Sequence, residues 1–75
     1  MRQFEGRIEI KKFKNHGGDS IPFFLESENE QSARKIINDK LKNILENDRW
    51  VGYQDGVQTE KKYFSAEILA FNERI

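Results

Sequence analysis

The sequence has no cysteine, one histidine and one proline among its 75 residues. Without cysteine there can be no disulfide and no thiolate metal site. With a single histidine, any metal would have to be held mainly by carboxylates. Glu26, Glu28 and Glu30 cluster, but they lack the glycine-centred oxygen-ligand spacing of a calcium loop. They sit where a helix start favours negative charge anyway. Neither a metal nor a cofactor is expected. An excess of charge is also missing: 13 Lys and Arg balance 13 Asp and Glu. The chain as a whole has no strong field to steer it to nucleic acid or an anionic membrane. No apolar run approaches the roughly 20 residues of a membrane span. The opening MRQFEGRIEI lacks the apolar stretch of a signal peptide. With no cysteine, a cytoplasmic location is expected.

One small domain over residues 1–75 is what this length allows. Hydrophobic burial and conformational entropy nearly cancel in chains of this size, so burial of further surface in an oligomer would help.

FEGRIEIKKF alternates. Phe4, Ile8 and Ile10 share one face, and Glu5, Arg7, Glu9 and Lys11 the other, as in a half-buried strand. Phe13 breaks the alternation and suggests a bulge near Lys11 or Lys12. SIPFFLES alternates again, with Ile21, Phe23 and Leu25 together. Pro22 cannot donate to a ladder, so this strand belongs at an edge or near its own start.

Ser27 and Glu30 form an S-x-x-E capping box. The helix that follows has Ala33, Ile36, Ile37, Leu41, Ile44 and Leu45 on one stripe. Lys35, Asn38, Asp39, Lys42 and Asn43 point away, and Asn47 is placed for a left-handed C-cap. In RWVGYQDGVQTE, Asp55-Gly56 signals a two-residue type I′ hairpin, pairing Gln54 with Val57, Gly52 with Thr59 and Trp50 with Lys61. The last segment, KKYFSAEILAFNERI, fits a strand or a helix; the strand is preferred because the hairpin feeds into it. The expected fold is α+β, ββαββ, an antiparallel sheet with one long helix packed on one face.

NHGGDS, residues 15–20, gathers His16, Asp19 and Ser20 beside two glycines. It matches no nucleophile-elbow, phosphate-loop or zinc-protease pattern. Its position between two alternating runs marks a turn, with Gly17 and Gly18 supplying unusual backbone angles. A catalytic pair on an exposed hairpin tip would lack a third group to orient it. No enzyme is expected.

The register places Val51, Tyr53, Phe64, Ala66 and Ile68 under the helix. In the absence of a bulge, Trp50, Tyr63, Leu69 and Phe71 then lie on the uncovered face. Phe24, Arg7 and Lys11 join them. A solvated sheet face is usually polar, so an aromatic one points to a partner; the plain alternative is a secondary cluster, or a bulge that turns these side chains inward. The expected partner-binding residues are therefore Phe24, Trp50, Tyr63, Leu69, Phe71, Arg7 and Lys11. The function expected is a non-enzymatic protein-binding module, including self-association as a homo-oligomer. Its style suits an accessory or inhibitor protein of a phage or plasmid. The alternative is a single-stranded nucleic-acid or RNA binder, with aromatic side chains stacking bases and Lys11, Lys12, Lys14 and His16 meeting phosphates.

Overall fold

Residues 1–75 are described by a computed structural model. The chain folds as β1 (Arg2–Lys11), β2 (Asp19–Ser27), α1 (Glu30–Asn47), β3 (Arg49–Gln54), β4 (Val57–Lys62) and β5 (Ser65–Arg74). This is an α+β fold, with one strand more than the expected ββαββ. The strands form two antiparallel sheets rather than one: β2-β1-β5, and the separate pair β3-β4. The helix packs on one face of the three-stranded sheet against β5 and β2. Pro22 lies in β2, an edge strand, where a missing donor costs the ladder nothing.

The core lies between the helix stripe and the inner sheet face. Phe4, Ile8, Phe23, Ala33, Ile37, Leu41 and Ile44 are buried. Ile10, Leu25, Tyr63, Ala66, Ile68 and Phe71 pack around them, half-buried. Ile36, expected in the stripe, is on its exposed flank.

The decisive irregularity is in β5. Ile8 pairs with Ile68 but Arg7 pairs with Ala70, so Leu69 is an extra residue and the register shifts. Without that bulge, Phe71 would point away from the helix. A one-residue slip exchanges the faces of a strand. Phe71 therefore turns inward opposite Gly6 and packs on Phe4 and Phe23, with ring centroids 5.5 and 6.0 Å away. The Arg34 guanidinium lies 4.3 Å from its ring centroid. Gly6 makes this possible: a β-carbon there would lie 1.9 Å from the Ala70 carbonyl oxygen and 2.7 Å from the Phe23 ring. The expected bulge near Lys11 or Lys12 is not where the irregularity falls; β1 simply ends at Lys11, before Phe13.

Both helix caps differ from expectation. Ser27 is buried as the last residue of β2, so the chain needs two more residues to turn. Asn29 caps instead, its side-chain oxygen accepting from the Ser32 amide at 2.8 Å. At the other end Asn47 stays helical, and Asp48 leaves in an extended conformation straight into β3. The Arg49 guanidinium donates to the Glu46 and Asp48 carbonyls at 3.1 and 2.8 Å, serving the helix end that a left-handed cap would have served.

Arg2 and Glu73 clamp the start of β1 to the end of β5, with Arg2 Nε donating to Glu73 Oε2 at 2.7 Å. That hydrogen bond holds the Glu73 carboxyl below its ordinary range and raises the Arg2 guanidinium further. A carboxyl lowered by folding stabilises above its unfolded pKa, and loses that contribution as pH falls through its lowered value. Because the pair is exposed, the effect on stability is small.

Two substitutions test this core. Leu41→Ala is expected to destabilise by about 2–5 kcal/mol, since it opens a cavity at the middle of the buried stripe. Gly6→Ala is expected to cost at least about 1–3 kcal/mol, as it forces β5 and Phe23 apart. Both are read from the urea midpoint at unchanged slope; a Gly6→Ala variant as stable as the parent would refute the close approach.

Candidate interaction surfaces

Asp55 and Gly56 have φ of 53° and 78°, the type I′ pair that the Asp-Gly sequence predicts. The hairpin register is also as expected, from Gln54↔Val57 to Trp50↔Lys61. What differs is where the hairpin goes. Two six-residue strands reach about 20 Å and a ten-residue strand about 33 Å; the molecule's long axis is 50 Å, against 21 and 15 Å across. The β3–β4 hairpin is thus an arm continuing beyond the body, from the end where α1 stops and β5 begins.

The arm meets the body at its root. Trp50 is half-buried there, with the Phe13 ring edge-on at a centroid distance of 5.0 Å. Its Nε1 donates to the Lys62 carbonyl oxygen at 3.1 Å. The Lys12 and Lys61 ammonium groups lie 5.3 and 5.7 Å from the indole centroid. A β-carbon at Gly52 would be 2.9 Å from the indole, so this glycine lets the ring lie flat along its own strand. Beyond the root one face of the arm is open, while Gly52 and Thr59 on the other face stay half-buried. Arg49, Val51 and Tyr53 share a face with Gln58, Glu60 and Lys62, which pair across from them. Tyr53 is 75% exposed and Val51 48%.

The expected placement of Val51, Tyr53 and Phe64 beneath the helix is therefore wrong. Val51 and Tyr53 belong to a sheet that the helix does not reach, and Phe64 is half exposed in the two-residue link to β5. Ala66 and Ile68 are on the helix side, as expected.

The seven expected partner-binding residues do not form one surface. Phe24, Leu69, Arg7 and Lys11 belong to the uncovered sheet face; Phe24 is 68% exposed and Leu69 52%. Phe71 is on the other side, turned inward by the bulge. Tyr63 packs against the core as the chain leaves the arm. Trp50 belongs to the arm root, because β4 never pairs with β5. Arg7 is engaged by Ser20, donating from Nε to Oγ at 2.6 Å and from Nη2 to the carbonyl oxygen at 3.1 Å. Lys11 bridges to Glu9 at 3.7 Å. Phe24 stands between two shallow depressions, one lined by Gln3, Glu26 and Arg74 and the other by Arg7, Pro22 and Asn72.

The NHGGDS stretch is only partly a turn. Asp19 and Ser20 already belong to β2, and Ser20 Oγ accepts from Arg7 rather than from His16. His16 is exposed against the Phe13 ring. Neither Gly17 nor Gly18 has a positive φ, contrary to expectation. Gly18 is needed for space, since a β-carbon would lie 2.5 Å from the Ile10 carbonyl oxygen. The glutamates near the helix start gather into no group of three or more metal-ligating side chains. No helix is long and apolar enough to cross a membrane.

No protein-family model matches the chain, no curated protein matches it in sequence, and no solved structure matches its fold.

Trp50→Ala is expected to release the arm while leaving the body folded. Hydrogen exchange should speed up across residues 49–62, with the slow amides of β1 and β5 retained. Global unfolding of this variant would instead make Trp50 part of the main core.

Proposed function

We propose that this chain is a small protein-binding module without catalysis, acting through its arm and the uncovered sheet face. The observation that carries this reading is surplus surface. The chain exposes 5653 Å², about 800 Å² more than the roughly 4,800 Å² of a compact monomer of its mass. Its radius of gyration is 14.8 Å, where a compact chain of this length has about 11 Å. The excess goes with the elongated shape, in which the β3–β4 pair forms a sheet of its own. A lone two-stranded hairpin is marginal in water, so an arm with exposed Val51, Tyr53 and Val57 gains from being covered. On the catalytic side, His16 and Ser20 have other neighbours and no shared geometry.

A second reading, single-stranded nucleic-acid binding, is favoured by the Lys12, Phe13, Trp50 and Lys61 cluster at the arm root. Against it, the indole is already flanked by its own neighbours, which leaves less of it for stacking.

The test compares the parent chain with Tyr53→Asp, an exposed substitution that leaves the core untouched. Binding to a protein partner, the chain itself included, is expected to weaken by about 2 kcal/mol or more, as for an aromatic hot spot, with the circular dichroism spectrum unchanged. A short single-stranded oligonucleotide is expected to show no binding with a steep salt slope. Steeply salt-dependent binding, lost on Lys12→Ala and Lys61→Ala but kept by Tyr53→Asp, would replace this reading with the second.

A further inference from the structure

We infer that the tip of the arm is a site of self-modification: Asp55 closes on the Gly56 amide as a succinimide and reopens as isoaspartate, without an enzyme, and the change undoes the arm. The chemistry needs an aspartate followed by a residue that leaves its nitrogen uncovered. Asp55-Gly56 is the one place in the chain where an aspartate or asparagine precedes glycine.

The steps balance with water alone. The Gly56 nitrogen gives up its proton and attacks Cγ of the Asp55 carboxyl in its acid form. A C–N bond forms, and the carboxyl hydroxyl leaves with a proton as water. Water then opens the five-membered ring at one of its two carbonyls. Attack at Cγ restores aspartate. Attack at the main-chain carbonyl leaves the chain running through Cγ. The backbone then holds one extra methylene, and the former main-chain carbonyl becomes a free carboxylate.

Three observations favour this position. The first is access. Both residues are exposed, and a β-carbon at Gly56 would meet nothing within 4 Å. The second is a free carboxyl. Asp55 takes part in no ion pair and no side-chain hydrogen bond. The third is a free backbone. Ring closure needs rotation about the Cα–C bond of Asp55, away from its value in the turn. The arm is a sheet of its own, and a lone two-stranded hairpin opens readily at its tip. The other aspartates lack this combination. Asp19 is in β2, paired with Ile10, and Asp39 is inside α1. The Asp48 amide is bonded to the Ile44 carbonyl. Each of the three is followed by a residue with a side chain.

The consequence comes from the turn. Its φ values of 53° and 78° belong to a two-residue type I′ link, with Gln54 and Val57 paired across it. An extra backbone carbon lengthens that link, so the ladder loses its closure at the tip. The body is spared, because the β2-β1-β5 sheet and α1 make no use of the turn.

For the test, the full-length chain is aged for weeks in warm neutral buffer, natively and in urea. Isoaspartate is measured as methyl groups accepted from S-adenosylmethionine through an isoaspartate methyltransferase, and located by peptide mapping. Label is expected in the native sample, at residue 55. Asp55→Gly keeps the turn, since Gly-Gly also adopts the I′ form, and should lose that label. The isoaspartyl form, separated by ion exchange, should show faster hydrogen exchange across residues 49–62 and keep the slow amides of β1 and β5. Label that appears in urea but not in the native chain, or that falls equally on Asp19, Asp39 and Asp48, overturns the site. An isoaspartyl form whose arm exchanges like that of the fresh chain overturns the consequence.

Discussion

The close approach of the Ala70 carbonyl oxygen and the Phe23 ring to Gly6 is what the rest of the body depends on. Gly6 sits on the central strand, so neighbours on both sides must close over it. β2 supplies Phe23 from one side. β5 supplies Phe71 from the other, and only because Leu69 is looped out of register. The same bulge leaves Leu69 exposed on the outer face. One extra residue thus completes the core and adds an apolar side chain to the uncovered face. Its cost to the ladder is offset by burial of an aromatic ring against Phe4, Phe23 and the Arg34 guanidinium.

A core this narrow cannot cover the whole chain. Eight residues of 75 are buried, and they lie between one helix and three strands. The arm has no share in that core beyond its root. There Trp50 does three things at once: it packs on Phe13, hydrogen-bonds the neighbouring strand through Lys62, and lies over Gly52. These contacts aim the arm without burying it. Stability in the body and availability in the arm therefore come from different residues. A substitution at Leu41 acts on the first and one at Tyr53 on the second.

Much of this architecture is legible in the sequence, because the signals involved are local. Alternation in β1 and β2, the apolar stripe of α1, the Asp-Gly turn and its register follow from contacts between near neighbours. The C-terminal strand was ambiguous by periodicity, since Phe64, Ile68, Phe71 and Ile75 also have helical spacing; it is a strand because β1 is there to pair with it. The cap shifted from Ser27 to Asn29 for a long-range reason, as Ser27 is held in β2 by pairing with Arg2. The candidate surface was the least legible part. The alternation of faces breaks at two places along it, the Tyr63–Phe64 link and the bulge at Leu69.

By itself the sequence determined β1, β2, α1, the α+β class, the I′ turn and most of the helix stripe, since each depends on spacing within a dozen residues; the break between β4 and β5 was not among them. Only the tertiary structure decided that the hairpin stands apart as an arm, that Phe71 turns inward, and that Phe24 and Tyr53 face solvent on separate surfaces. Those outcomes depend on which strand edges meet and on one inserted residue. Pairing across 60 residues and a change of face at Leu69 leave no mark in local periodicity, because the same side chains satisfy either face until a neighbouring strand selects one.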